Sequence, residues 1–134
     1  MQLLKPGLTA KATLVVNDTH TARRMGSGAV DVLATPIMVA LMEEAARKSV
    51  DPHLEQSNEL SVGIALDITH KAATPVGMSV WAEAELLKVE GRKLTFGVKA
   101  GDELEIIGEG VHTRAIVNRD RFLDQARKKA DNRL

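Results

Sequence analysis

The sequence predicts an α+β domain in which a mainly antiparallel sheet wraps around one central helix. Three observations support this class. Apolar and polar residues alternate in several segments, one segment near residue 40 has helical periodicity, and short turns separate the later strands. The chain has 134 residues, which is the size of one ordinary domain. We therefore expect a single domain over residues 1–134.

Alternation of apolar and polar residues predicts the strands. The first strand covers Leu8–Val16 and ends at a turn signal at Asn17. The second covers Val62–His70, where alternation puts His70 on the apolar face and Gly63 on the opposite face. Because short turns join the remaining strands, we expect consecutive strands to pair as an antiparallel meander. Those strands are predicted at Met78–Val89, Leu94–Ala100, Leu104–Glu109 and Val111–Val117.

The central helix is predicted to begin at Thr35-Pro36, where the threonine can cap the first turn and the proline occupies the first helical position. It is expected to end near Val50, before Asp51-Pro52. The intervening segment 19–33 has no sustained period and predicts a loop of the kind that can cover a site. A second, charged helix is expected at 119–132. The apolar side of the central helix comprises Ile37, Met38, Leu41, Met42, Ala45 and Ala46.

Composition excludes several classes of function. The chain has 18 basic and 18 acidic residues with no stripe of one charge, so a nucleic-acid partner is not expected. It has no cysteine, and no histidine pair has a metal-binding spacing, so we expect neither a metal nor another cofactor. No apolar run approaches the roughly 20 residues of a membrane span, which favours a cytoplasmic protein without a membrane partner.

Only 2% of residues are aromatic, so the core must be aliphatic, and a second copy would add buried area.

Three polar residues are candidates for a catalytic role. Glu43 interrupts the apolar side of the helix, where a carboxylate is either solvated at the edge of the stripe or functional. His70 ends an apolar strand face, where a hydrogen-bonded core histidine is more common than a catalyst. Thr35 is explained by capping alone, although a hydroxyl at a helix start also lies near N–H groups that could stabilise an oxyanion. The remaining histidines, His20, His53 and His112, are expected at the surface.

The spacing of Thr35 and Glu43 limits how they could share one site. Eight residues of α-helix span about 12 Å, so the two side chains cannot touch directly. Either a ligand spans them, or a second chain supplies one of the two residues.

Four segments resemble the hotdog-fold thioesterases of the fluoroacetyl-CoA thioesterase type. The most specific are the Leu41-Met42-Glu43 run eight residues after Thr35 and the Thr-His-Lys-Ala-Ala-Thr-Pro-Val-Gly run that begins at Thr69. The order of elements also suits a hotdog fold, although order alone does not separate it from other α+β folds. The matching segments are Ala34–Glu43, Ser61–Gly77, Val89–Leu94 and His112–Ala115.

The resemblance implies a hotdog fold and hydrolysis of a small acyl-CoA thioester by a homodimer with each site at the seam between two chains. It implies that Thr35, Glu43 and His70 are catalytic, and that Gly63 and Arg114 contact the substrate. Arginine can bind the phosphates of CoA, which is the role expected for Arg114. The fluoroacetyl-specialised member of the family uses phenylalanines before the helix as a lid, whereas residues 23–33 have no aromatic residue here. Selectivity for a fluorinated acyl group is therefore in doubt.

Two other functions fit the same residues. An enoyl-CoA hydratase of the same fold would add water to a double bond and retain the thioester. A non-catalytic acyl-CoA binding module would bind tightly without turnover, which the set of Thr35, Glu43 and His70 argues against.

Overall fold

The computed structural model describes residues 4–55 and 57–133. Its main helix, α2 (Thr35–Val50), follows a one-turn helix, α1 (Ala22–Met25), and a third helix, α3 (Arg119–Asp131), ends the described chain. Two single-turn 3-10 helices occupy Asp18–His20 and Asp51–His53. Every strand expected from alternation is present, with the last two predicted segments joined into one. The strands are β1 (Thr9–Val15), β2 (Glu59–His70), β3 (Ser79–Glu90), β4 (Lys93–Gly101) and β5 (Ile106–Asn118).

The five strands form one antiparallel sheet in the order β1-β3-β4-β5-β2, and it curls around α2. The predicted α+β hotdog class is confirmed. Burying the aliphatic stripe of α2 against the inner side of the sheet removes both apolar surfaces from water. The core is aliphatic apart from Phe96, and its largest buried side chains include Phe96, Leu33, Met38, Met42, Leu86, Leu94 and Ile107.

The neighbour of β2 differs from the predicted meander. Strands β3, β4 and β5 do form a meander, but β2 pairs with β5 and lies at the far edge of the sheet. Segment 71–78 therefore carries the chain across the width of the sheet instead of forming a tight hairpin. Adjacent strands lie about 4.8 Å apart, so a segment of this length reaches the distant position of β3 easily.

A β-bulge in β2 corrects the predicted division of its faces. The register with β5 shifts between Gly63 and Ala65, so one extra residue interrupts the alternation. Ile64, predicted on the apolar face, is 56% exposed, whereas Ser61 before the bulge is buried. A one-residue slip moves every earlier side chain to the other side of a strand. Gly63 and His70, predicted on opposite faces, therefore both face α2.

The start of α2 corrects the predicted role of Thr35. The N-cap residue is Ala34, which provides no side-chain hydrogen bond, and Thr35 is already the first helical residue. Since a capping residue precedes the helix, the Thr35 hydroxyl is not used for capping. The predicted end of the helix at Val50 is confirmed.

The remaining segments frame this core. Segment 19–33, expected to be a loop, contains α1, which ends at Gly26 in the left-handed conformation with φ 78°. Helix α3 packs weakly, and its Phe122 and Leu123 are 42% and 48% exposed. Over the residues that the structure describes, no helix is both long and apolar enough to cross a membrane.

Candidate active site

Thr35 and His70 form a hydrogen-bonded pair at the N-terminal end of α2. The Thr35 Oγ1 atom lies 2.7 Å from His70 Nδ1. Strand β2 ends at His70 beside the first turn of α2, because the neighbouring β5 residue is a glycine that lets the helix approach. A methyl group on that residue, Gly108, would lie 2.7 Å from the Met38 sulfur. Sheet and helix therefore hold the hydroxyl and the imidazole together.

The His70 imidazole is half-buried and incompletely bonded. Burial lowers its pKa below the usual value of 6.5, and the nearby Ala72 backbone opposes this shift only in part. The neutral ring is therefore favoured near neutral pH, which is the form that can accept a proton. Within the described ranges, His70 Nε2 is buried without a hydrogen-bond partner. A buried polar nitrogen of this kind is costly unless something else binds it.

A cleft of about 270 Å³ opens beside this pair. It lies between the segment before α2 and the residues that follow β2, so the segment expected to cover a site does line it. Its lining is mostly small or aliphatic, and it includes Ala22, Ser27, Gly28, Val30, Val32, Leu33, Thr35, His70, Lys71, Ala72 and Ala73.

Glu43 lies two turns further along α2, against the bulged part of β2. It is half-buried, and a methyl group added to Gly63 would lie only 2.6 Å from its Oε2 atom. Glu43 is thus neither buried in the core nor fully solvated at the edge of the stripe. The absence of a side chain at Gly63 leaves the carboxylate room at the open edge of the sheet.

Arg114 lies under this carboxylate and is only 5% exposed. Its Nε donates to Ser61 Oγ at 2.8 Å, and its Nη2 donates to the Ser61 carbonyl at 2.9 Å. Ser61 in turn donates to Asp51 Oδ1 at 2.6 Å. Burial lowers the pKa of Arg114, while the carboxylates of Asp51 and Glu43 oppose that effect. The guanidinium is thus enclosed and bonded within the chain, and the expected contact of Arg114 with CoA phosphates stays a prediction.

His112 corrects another expectation, since it was placed at the surface and is 1% exposed. Its Nε2 lies 3.2 Å from Arg114 Nη1, and its Nδ1 lies 2.9 Å from the Ala65 carbonyl. Residues i and i+2 of a strand share a face, so the spacing of His112 and Arg114 was the signal that could have revealed it. Burial, aided by the Arg114 charge, lowers the pKa of His112 below 6.5.

The structure therefore divides the predicted site residues of one chain between two clusters. Thr35 and His70 form the first, while Glu43, Gly63 and Arg114 form the second with His112. The clusters lie near opposite ends of β2 on the same face of the sheet. Along the described chain, no group of three or more histidine or carboxylate side chains could hold a metal ion.

The sequence was compared with known protein families and with solved structures. The family model described as fluoroacetyl-CoA-specific thioesterase matches residues 16–120. The chain belongs to the fluoroacetyl-CoA-specific thioesterase family. The match begins directly after β1, spans α2, strands β2 to β5 and both clusters described above, and stops at the start of α3. The predicted resemblance is thus confirmed.

Individual relatives agree with the family match. The fluoroacetyl-CoA thioesterase of Streptantibioticus cattleyicolor is 44% identical over 99 residues, which is 74% of this chain and 70% of that protein. A solved fluoroacetyl-CoA thioesterase of this family superposes with a TM-score of 0.88 and 36% identity, covering 96% of this chain and 98% of that chain. A thioesterase superfamily member from Thermus thermophilus has a TM-score of 0.88 and 30% identity, covering 98% of this chain and 96% of that chain.

Proposed function

We propose that this protein is an acyl-CoA thioesterase that hydrolyses a small acyl-CoA to a free acid and CoA. The observation that carries the proposal is that Thr35, His70 and Glu43 all face the same side of the sheet at its open edge. They do so in a chain whose relatives are named fluoroacetyl-CoA thioesterases. One relative of this family was solved in complex with fluoroacetate and CoA, with 38% identity and a TM-score of 0.83 over 89% of this chain and 99% of that chain.

We propose further that the active protein is a homodimer in which β2 pairs with β2 of a second copy. Strand β2 is an edge strand, so its outer backbone groups are available for pairing. Its middle residues Gly63, Ile64 and Ala65 are exposed, and Ile64 alone is 56% exposed. A 12-residue edge strand with an exposed apolar middle is normally covered in a folded assembly.

The register of that pairing would unite the two clusters. When the bulge residue Ile64 is left out of the alternation, Asp67 is midway between Gly63 and His70. If a two-fold axis passes through Asp67 of two antiparallel β2 strands, Gly63 of each chain faces the partner's His70. Opposed residues of an antiparallel pair project to the same side, so Glu43 of one chain would meet the partner's Thr35 and His70. The register also gives the otherwise unpartnered Nε2 atom of His70 a polar neighbour.

In this arrangement the reaction can be assigned to named groups. In one route the Glu43 carboxylate attacks the thioester carbonyl, expels the CoA thiolate and forms an acyl anhydride that water then hydrolyses to the free acid and Glu43. In the other route Glu43 removes a proton from the water that attacks the carbonyl. The neutral imidazole of the partner's His70 accepts a proton and passes it to the departing CoA thiolate. The Thr35 hydroxyl, hydrogen-bonded to His70, orients the imidazole and contacts the substrate. Gly63 leaves space for the thioester beside Glu43, and Arg114 supports the carboxylate from below.

The acyl group is proposed to be small, because the named relatives are fluoroacetyl-CoA thioesterases and fluoroacetyl is a two-carbon acyl group. The cleft beside Thr35 and His70 is lined mostly by small and aliphatic side chains. We therefore expect short unbranched acyl-CoA substrates, without a strong preference for fluorine. A cytoplasmic location, a single domain over residues 1–134 and the absence of a cofactor remain predictions from the sequence.

An acyl-CoA panel with a thiol reagent tests the activity directly, since the protein has no cysteine to contribute signal. We expect release of free CoA from short acyl-CoA substrates. A hydrated product that keeps its thioester would indicate the hydratase instead, and tight binding without turnover would indicate a binding module. Either outcome would overturn the proposed function.

Mixing two inactive variants tests the shared site. Thr35→Ala and Glu43→Gln proteins, unfolded and refolded together, should form heterodimers that regain one intact site in two. Recovery of activity supports sites built across chains, and light scattering checks the dimer. A dimer that regains no activity on mixing would place each site within one chain.

A further inference from the structure

His112 is a buried histidine that the proposed mechanism does not use. It is 1% exposed and stacks on Phe96, with ring centroids 6.1 Å apart and an interplanar angle of 29°. A phenylalanine would fill this place in the core without a polar atom to satisfy. The two nitrogens of His112 therefore need their own explanation.

Both nitrogens have partners that determine which one carries the proton. The Ala65 carbonyl can only accept, so Nδ1, 2.9 Å away, must donate. The Arg114 guanidinium can only donate, so Nε2, 3.2 Å from Nη1, must accept. His112 is thus held as one neutral tautomer between a backbone carbonyl and a buried cation.

The first of these partners belongs to the bulge of β2. The ladder with β5 is interrupted between Gly63 and Ala65, and a bulge leaves backbone groups without their regular partners. His112 donates to the Ala65 carbonyl immediately after the interruption. The bulge turns Gly63 toward α2. This hydrogen bond therefore stabilises the backbone segment that lies against Glu43.

The second partner fixes the cation below Glu43. Three N–H groups of Arg114 are directed to Ser61 Oγ, the Ser61 carbonyl and His112 Nε2, so its guanidinium cannot rotate. The same Nη1 atom would lie 3.7 Å from a methyl group on Gly63, which itself would lie 2.6 Å from Glu43 Oε2. His112 therefore bonds the Arg114 nitrogen that borders the same Gly63 position as the Glu43 carboxylate.

We infer that His112 is a positioning residue for Glu43, because it holds both the Gly63–Ala65 bulge and the Arg114 guanidinium that borders the carboxylate. The inference rests on the proposed function, in which Glu43 is the reacting carboxylate. It assigns His112 no contact with the substrate. Its loss should therefore reduce kcat more than it changes KM.

Three substitutions separate the two hydrogen bonds. In His112→Gln the amide oxygen can take the place of Nε2 and accept from Arg114. In His112→Asn the amide nitrogen can take the place of Nδ1 and donate to Ala65. His112→Phe retains the stacking on Phe96 and neither hydrogen bond.

We expect His112→Phe to lower kcat by about 30-fold or more with KM changed less than about threefold, since displacement of a reacting group costs rate. The Gln and Asn variants should each recover part of the loss. The matched control is Val80→Ala, a buried site on β3 that is 1% exposed and distant from β2. It should lower the melting temperature while leaving kcat within about twofold.

A His112→Phe enzyme with kcat within about twofold of wild type would overturn the inference. If that variant does not fold, wild-type kcat in both the Gln and Asn variants would overturn it equally. An inactive wild type would instead refute the proposed function, and hydrogen exchange of the Arg114 Nη1–H groups, which face His112 Nε2, then decides for His112. We expect exchange at least about tenfold faster in His112→Asn than in His112→Gln, and equal rates would reject the positioning role.

Discussion

The two clusters along β2 differ in how completely they are bonded. Thr35 is exposed and shares one hydrogen bond with His70, whose other nitrogen has no partner within the described ranges. Around Glu43, by contrast, Arg114 and His112 are buried and joined through Ser61 to Asp51. An incompletely bonded pair can accept a substrate or a second chain, whereas the enclosed network holds a group still. Under the proposed function, the first cluster would transfer protons and the second would surround the reacting carboxylate.

Glu43→Gln has the largest expected effect and tests whether the second cluster supplies the reacting carboxylate. The amide keeps the volume but loses the negative charge and basicity, so we expect thioesterase activity to fall by about 10²-fold or more. The free energy of unfolding should change by less than about 1 kcal/mol. The measurement is kcat on the best acyl-CoA of the panel, together with urea unfolding.

Glu44→Gln is the matched control for that variant. Glu44 is the next residue on α2 and forms an exposed ion pair with Lys48 at 2.9 Å. Such pairs contribute about 0.3–0.5 kcal/mol, so both activity and stability should stay near wild type. Turnover by Glu43→Gln equal to that of Glu44→Gln would remove Glu43 from the site.

Gly63→Ala tests whether the bulge must leave space beside the carboxylate. The added methyl group would lie 2.6 Å from Glu43 Oε2, the far end of a flexible side chain, so the carboxylate should move and the fold should survive. A displacement of about 1 Å can reduce rate by about 10²-fold. Gly97→Ala is the control, because its methyl group would lie 3.3 Å from Leu87 on the outer face of the sheet. Equal kcat in the two variants would contradict the prediction.

Thr35→Val tests the hydrogen bond between Thr35 and His70 in the first cluster. Without the hydroxyl, His70 loses its one side-chain hydrogen bond, and a loss of about 1.4 kcal/mol corresponds to about tenfold in kcat. Stability should change by less than about 0.5 kcal/mol, because Ala34 and not Thr35 is the N-cap. Thr35→Ser should restore most of the rate. Asn118→Ala, which removes a true capping side chain from α3, should show the reverse pattern of lower stability and unchanged rate.

The smallest expected effect is the pH dependence of stability. Burial lowers the pKa of His70 and His112 in the folded protein, so below about pH 6.5 the unfolded chain binds more protons than the folded one. The free energy of unfolding should therefore decrease as pH falls from about 7.5 to about 5.5. Urea unfolding of wild type and His112→Gln measures the slope, which should be shallower in the variant. A stability that rises toward acid pH would contradict the burial of both rings.

Much of the fold was predictable because its signals are local. Alternation, or for 78–89 a long apolar run between turns, located every strand. Helical periodicity with the following Asp51-Pro52 located α2, since the apolar stripe must face the core. The turns could not predict which strand pairs with β2, because segment 71–78 is long enough to cross the sheet. Only the combined packing of α2 and β5 determines where β2 lies.

For the candidate site, the sequence by itself determined which residue types were available and which family they match. Thr35, Glu43 and His70 were all identified there, with Gly63 and Arg114. Tertiary structure decided their arrangement, since the bulge that brings Gly63 and His70 to one face depends on register with β5. It also decided that His112 is buried and that the Thr35 hydroxyl bonds His70 instead of capping α2. Periodicity describes one segment at a time, whereas register and burial are set by contacts between segments distant in sequence.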